Sequence, residues 1–337
     1  MWDRRYIKVR LPVFLSLIIS CTAFASAQNP HYSRFPPGAG HSEFIGLSAA
    51  ELPNAYDSVY LFVDNHSQPQ YYYQRILTPV CEDTLCKLVK LTFKWDLLGN
   101  YLYYYMEDGE TLTKLDHKPF SIEDYNKLHS ILSDNKSVLG TYTKEYISGL
   151  LKDNSDQGGN PMVDVVTGAT PEQLRTEIIE GALYSCHTLW HLCRGKIRDQ
   201  ILNHTGEMLL NEDFMHQLIL SGDIHYIEFA LRNLNSFDPS DFHGDIILII
   251  QNNSSLTTSR IIEYMPGTLI CNNEFNDQLW NLFGDLQYLS QRQFLKKLTS
   301  CNQLSDKILD GLISYSAHSI ESQYIQILNT VFNQYGS

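Results

Sequence analysis

Hydrophobic and polar positions alternate with a two-residue period in one stretch of the chain and follow a helical period over most of the rest. Residues 87–96, KLVKLTFKWD, alternate apolar and polar side chains. Leu98-Gly99-Asn100 supplies a turn, and residues 101–108, YLYYYMED, form an aromatic second run. Two such runs around a short Gly/Asn turn predict a β-hairpin. Strict alternation puts Tyr101, Tyr103 and Tyr105 on one face of its second strand and Tyr104 on the other. Upstream, residues 28–80 are rich in Pro, Asn, Ser, Gln and Tyr and show little periodicity outside 59–63, VYLFV. They predict an irregular segment with one short strand.

Downstream the period changes. Ser121-Ile122-Glu123-Asp124 has the form of a capping box, and Ile122, Tyr125, Leu128, Ile131 and Leu132 follow at helical spacing. A loop rich in Gly, Asn and Asp spans 152–160. A short strand, MVDVV, comes next, and Thr170-Pro171-Glu172-Gln173 starts a helix expected to run to about Leu192. Strands and helices in this order predict a small α+β domain over 81–200. From 207 to 337, short amphipathic runs such as FMHQLIL, HYIEFALRNL, SRIIEYM, QFLKKL and SDKILDGLI are interrupted by Asn, Ser, Gly or Pro. They predict an all-helical domain, either a helical bundle or a degenerate helical repeat without a strict period.

The first 27 residues stand apart. Arg4, Arg5, Lys8 and Arg10 precede an apolar run from Leu11 to Ala25, and Ala25-Ser26-Ala27 ends it with small residues. This is the pattern of a secretory signal peptide, so an extracytoplasmic location is expected, periplasmic or secreted. Ile18-Ile19-Ser20-Cys21 also resembles a lipobox, which would anchor the chain through a lipid on Cys21. The apolar run is short for a bilayer, and no later stretch is long enough to span one.

The formal net charge is −13, and removal of residues 1–27 takes away four basic residues and one acid, giving −16. Such a surface repels nucleic acid and anionic lipid, and no basic run offsets it. Six cysteines follow the leader: Cys81, Cys86, Cys186, Cys193, Cys271 and Cys301. An oxidising compartment permits disulfides among them. Cys186 and Cys193 cannot pair with each other if they share a helix, where they stand about 10 Å apart along the axis.

The most specific chemical signal is Asp164-Val165-Val166-Thr167-Gly168-Ala169-Thr170, which fits D-x-x-[ST]-G-A-T. Its fixed positions coincide by chance in about one chain of this length per thousand, far less often than a lone glycine pattern. The stretch resembles the attachment motif of the FMN-binding domain family, found in exported flavoproteins and in flavin-bearing subunits of ion-pumping redox complexes. Ile178-Ile179 and Gly181-Ala182-Leu183 also resemble that family's following apolar helix, and the 87–108 hairpin its early strands. The resemblance covers roughly 81–195. It implies FMN esterified through its phosphate to Thr170 by a separate flavin transferase, with Asp164, Thr167, Gly168 and Ala169 as recognition residues. It further implies an electron-transfer protein, with the helical region docking a redox partner. Read without the family, Thr170-Pro171-Glu172-Gln173 is a sufficient helix start by itself: Thr as cap, Pro in the first turn, Gln in capping-box position. The competing function is then an exported, non-catalytic interaction module that keeps the fold without the flavin.

Other groupings read as structural. His187 and His191 are spaced i, i+4, as in metal sites, but Cys186, Trp190 and Cys193 lie on a stripe about 100° away, so the set does not converge on one ion. Core packing with a disulfide from Cys186 or Cys193 is the expectation there. Asp116-His117, in a loop before a helix, either closes a turn or orients a ligand. No nucleophile elbow, phosphate loop or dinucleotide fingerprint is present, and no residue qualifies as a substrate-processing acid or base.

Overall fold

Five strands run in chain order across one antiparallel sheet: β1 (Gly40–Ser48), β2 (Ser58–Asp64), β3 (Pro69–Pro79), β4 (Leu88–Trp95) and β5 (Tyr101–Met106). The computed structural model describes residues 40–48, 58–79, 88–114, 117–149, 172–316, 329–331 and 333. Among the described residues helices follow the sheet, so an α+β region precedes an all-helical one, as the periodicities predict.

The sheet is larger than the sequence pattern indicates, because β1 and β3 fall in the stretch expected to be irregular. The reason is visible in β3. Tyr71, Tyr72, Tyr73 and Gln74 are all buried, so both faces of this strand are covered and no polar/apolar alternation marks it. Two turns of the same construction join the strands. Asp64 accepts hydrogen bonds from the His66 and Gln68 amides (2.8 and 2.9 Å), and Asp96 from those of Leu98 and Asn100 (2.9 and 2.7 Å). Gly99 occupies the left-handed region (φ 74°) that the second turn requires.

The β4–β5 pairing corrects the tyrosine faces. Lys94 faces Tyr103 but Trp95 faces Tyr101, so Leu102 is an extra residue, a β-bulge. The bulge reverses the alternation. Tyr101 joins Tyr104 and Met106 on the core face, while Tyr103 and Tyr105 remain on the other.

Helix α1 (Ile122–Ser133) starts with the expected capping box: Ser121 Oγ accepts from the Asp124 amide and the Asp124 carboxylate accepts from the Ser121 amide (3.2 and 2.8 Å). A 3-10 turn, Val138–Thr141, follows. The single helix expected from 170 to 192 is instead two, α2 (Glu172–Glu177) and α3 (Leu183–Arg194). Between them the chain turns Ile178 and Ile179 into the core and reverses at Gly181 (φ 77°), a conformation no helix interior accepts. Helix α4 (Lys196–His204) continues into a π-helical turn, Thr205–Leu209.

Beyond it the helices alternate in two rows. The first row holds α5 (Glu212–Leu220), α7 (His243–Asn252), α10 (Asn273–Asn281) and α12 (Asp306–Ser316). The second holds α6 (Ile224–Asn233), α8 (Ser255–Tyr264) and α11 (Tyr288–Leu298), with the short α9 (Gly267–Ile270) between α8 and α10. Helix starts within a row are 31, 30 and 33 residues apart in the first and 31 and 33 in the second. Within each row, successive helices pack on one another. This is a stacked helical repeat rather than a closed bundle. Equivalent positions recur: Leu218, Ile249 and Leu279 in the first row, and Leu231, Ile262 and Leu295 in the second, are buried. Cys271 and Cys301, each in the linker ahead of a first-row helix, are disulfide-bonded with Cα atoms 5.2 Å apart and so tie successive repeats together. No helix among the described residues is long and apolar enough to cross a membrane.

One hydrophobic core runs through both regions. Polar contacts fasten the joint: Trp95 Nε1 donates to the Cys193 carbonyl (2.8 Å), Thr205 Oγ1 to the Leu97 carbonyl (2.6 Å), and Gln217 to Gln68 (2.7 Å).

Candidate functional site

Asp164, Thr167, Gly168, Ala169 and Thr170 lie outside the described residues, as do Cys81, Cys86, Asp116 and the leader. The structure does describe the two ends from which the motif-bearing segment 150–171 departs. On the N-terminal side, residues 144–149 are helical and anchored by fully buried Ile147. On the C-terminal side, α2 is anchored by fully buried Leu174. Its Glu177 carboxylate accepts from Ser137 Oγ and the Val138 amide (2.7 and 2.9 Å). These bonds tie α2 to the 3-10 turn, whose free amides need an acceptor.

The N-terminal side and the 3-10 turn also rest on α3. His187 Nε2 donates to the Tyr142 carbonyl (2.8 Å), His191 Nε2 to that of Leu139 (3.0 Å), and Trp190 Nε1 to that of Asp134 (3.0 Å). Arg194 completes the row by donating to the carbonyls of Leu132 and Ser133 (2.7 and 2.6 Å). One face of α3 thus satisfies the orphan carbonyls at the end of α1 and along the segment after it. The i, i+4 histidine spacing has a structural explanation here: both rings reach backbone carbonyls. Burial lowers the pKa of His187, which keeps the ring neutral.

The cysteines of α3 differ from the sequence expectation. Cys186 and Cys193 are both buried thiols, and neither forms a disulfide. Burial pushes the Cys193 thiol up, so it is protonated and inert at neutral pH. Their helix directs them into the core, and no other cysteine among the described residues pairs with them. His117 is exposed and sits in the left-handed region (φ 57°), at a loop closed by Lys114 N–H donating to the Lys118 carbonyl (2.8 Å).

Sequence reasoning missed a cluster beside residue 149. The Tyr142 and Tyr146 rings stack with centroids 5.0 Å apart, and Lys144 Nζ lies 5.7 Å from the centre of the Tyr184 ring. Tyr146 is 42% exposed, so part of this aromatic surface is open to a ligand. Thr143-Lys144-Glu145-Tyr146 carries no recognisable motif, and Tyr184 is distant in sequence. Only the fold brings them together.

No family model, no curated protein and no solved structure matches this chain.

Proposed function

We propose that this chain is an exported electron-transfer flavoprotein carrying FMN as a phosphoester on Thr170. The observation that carries the reading is the D-x-x-[ST]-G-A-T stretch at 164–170. The flanking structure supports it in two ways. A functional loop benefits from a rigid base: both ends of 150–171 are anchored by buried residues, and the C-terminal end also by charge-assisted bonds to Glu177. The chemistry beside residue 149 also suits the group: stacked Tyr142 and Tyr146 offer flat faces to an aromatic ring system, and the Lys144 ammonium suits a phosphate. When bound, FMN supplies one- and two-electron redox chemistry, and the protein's contribution is position and electrostatics. In this reading residues 1–27 are the signal peptide and the helical repeat docks the redox partner.

The test is to express the protein with a flavin transferase, run a denaturing gel and measure in-gel flavin fluorescence and intact mass. The wild type gains the mass of FMN less one water, and Thr170→Ala loses both signals. Wild-type protein without the added mass, beside a control substrate that is flavinylated in the same cells, refutes the proposal and leaves an interaction module on the same fold.

A further inference from the structure

A row of redox-capable side chains crosses the core face of the sheet. Tyr72 on β3, Trp95 on β4 and Tyr101 on β5 are direct cross-strand partners, Tyr72 opposite Trp95 and Trp95 opposite Tyr101. The bulge at Leu102 is what brings Tyr101 into this row. All three are buried, Tyr72 and Trp95 completely. Each phenol at the ends meets an imidazole nitrogen: Tyr72 Oη lies 2.8 Å from His204 Nδ1, and Tyr101 Oη 2.8 Å from His129 Nδ1. Phe93 bridges the ring system, 5.7 Å from Trp95 and 6.5 Å from Tyr101. His129 lies at the sheet edge and also contacts Tyr103 (5.0 Å), which in turn contacts Tyr105 (5.1 Å) on the opposite face. Tyr103 and Tyr105 are only half-buried.

We propose that His204–Tyr72–Trp95–Tyr101–His129 is a proton-coupled one-electron relay that carries oxidising equivalents from the buried sheet to its solvent-accessible edge at Tyr103. The physical difficulty in oxidising a buried tyrosine is charge. Loss of one electron makes the phenol a strong acid, and a cation radical in an apolar core is costly unless its proton has somewhere to go. Here the proton has a place at both ends. An outer-sphere one-electron oxidant, such as an oxidising metal complex or an oxygen-derived radical, removes one electron either from Tyr101 directly or from Trp95, which then takes an electron from Tyr101. The Tyr101 O–H bond breaks, its proton moves to His129 Nδ1, and a neutral tyrosyl radical remains beside an imidazolium. An electron from Tyr103 together with the returning proton restores Tyr101, and the half-buried Tyr103 releases its own phenol proton to solvent, leaving a neutral tyrosyl radical at the edge. At the other end Tyr72 runs the same step to His204, with its hydroxyl also 3.0 Å from Thr205 Oγ1, an acceptor that itself donates to the Leu97 carbonyl.

The surroundings favour this arrangement. Burial lowers the pKa of both His129 and His204, so each ring is neutral near pH 7 and able to accept a proton. Burial raises both phenols, Tyr72 to about 12, so they hold their protons until oxidised. Ordinary packing requires only that each hydroxyl find some acceptor. It does not require imidazole at both ends of a row centred on a tryptophan. The relay needs no flavin, so it stands or falls separately from the proposed function.

The test uses flavin-free, full-length protein and photogenerated tris(bipyridine)ruthenium(III) as oxidant, with transient absorption and electron paramagnetic resonance as readouts. The expected product includes a neutral tyrosyl radical whose g-tensor reports a hydrogen bond from an imidazolium, formed more slowly in heavy water. Tyr101→Phe removes a large share of that species, and Tyr72→Phe/Tyr101→Phe removes the rest. His129→Gln keeps a hydrogen-bonding group but no proton acceptor of comparable basicity. It slows tyrosyl formation at Tyr101 by on the order of 100-fold, the low end of what a positioned proton acceptor contributes. Tyr103→Phe alters only the half-buried edge, leaves the fold intact and lengthens the life of the inner radical. If Tyr101→Phe and His129→Gln, shown folded by circular dichroism, give the wild-type spectrum and rate, or if the radical lifetime in Tyr103→Phe is unchanged, the relay is refuted and the row is packing alone.

Discussion

The sheet and the helical repeat share one continuous core but are specified by different means. Aromatic side chains with polar handles dominate the sheet and the helices on it, and several of the buried handles have a directional partner. Tyr104 Oη donates to the Tyr125 carbonyl (3.1 Å), the Leu112 amide donates to Tyr125 Oη (3.1 Å), and Trp95 and Trp190 donate to the carbonyls of Cys193 and Asp134. The repeat is built mainly from aliphatic side chains at recurring positions: six residues after each first-row helix start (Leu218, Ile249, Leu279 and Leu312) and seven after each second-row start (Leu231, Ile262 and Leu295). A buried hydroxyl or indole that misses its partner costs about 1–3 kcal/mol, so the sheet region tolerates one arrangement. Aliphatic contacts are non-directional, so the repeat is defined by spacing and by the caps that start its helices.

The largest test of that contrast is Trp95→Ala. Trp95 is fully buried and its indole holds the Cys193 carbonyl. Removing a buried tryptophan costs about 3–5 kcal/mol through lost burial and the cavity left behind. In urea, the near-ultraviolet aromatic signal should lose that amount, while the far-ultraviolet helical signal, dominated by the repeat, shifts less. Equal shifts in both signals would show instead that the two regions unfold as one cooperative unit.

A comparable loss confined to the repeat is expected from Cys271→Ser/Cys301→Ser. The bond spans a sequence separation of 30 and links equivalent linkers of adjacent repeats. Chain-entropy arguments give about 3–4 kcal/mol for a loop of that length. Because stacked repeats contact only their neighbours, the effect should appear as protease sensitivity around 271–301, with the sheet unaffected. Limited proteolysis followed by mass mapping reads this directly, and cleavage in the sheet would contradict it.

These differences also govern what could be read from the sequence. The 101–106 strand, the Ser121 capping box and the short amphipathic runs of the C-terminal region were legible because each has a local signature. The repeat period was harder to see, since its third unit breaks the pattern at Asn276 and an added helix, α9, precedes that unit. β3 was illegible because burial on both faces erases alternation, and the tyrosine faces were misassigned because the bulge at Leu102 has no marker residue. The helix break at Gly181 had one, a glycine inside an apolar pattern. Of the candidate site, the motif residues were legible as a motif. The α3 stripe was legible only as a list of side chains, because its carbonyl partners come from a segment some fifty residues earlier.

Asn276 offers a smaller effect of opposite sign. It is 1% exposed and occupies the position held by Met215 and Ile246 in the preceding repeats, and its amide has no hydrogen-bond partner among the described residues. An unsatisfied buried amide costs about 1–3 kcal/mol, and an apolar residue of similar size removes the penalty. Asn276→Leu should therefore stabilise the repeat by about 1–2 kcal/mol, seen as a higher urea midpoint at unchanged slope. A lower midpoint would mean that the amide serves a role the aliphatic rule does not cover.

The smallest expected effect is on pH dependence, and it falls mainly on the sheet side of the comparison. Burial holds His129, His187 and His204 below their ordinary value of 6.5, as it does His243 in the repeat. A histidine whose folded pKa is lowered is protonated first in the unfolded chain. Below pH 6.5 the unfolded state therefore binds more protons, so stability is full above that value and erodes as the pH falls toward the folded pKa values. His187→Gln tests one contribution: glutamine still carries an N–H donor for the Tyr142 carbonyl but does not titrate. Urea midpoints measured from pH 7.5 downward should match wild type above pH 6.5 and fall less steeply below it. A variant that loses the same stability at every pH would show that the His187 contact matters only as packing, with its protonation irrelevant.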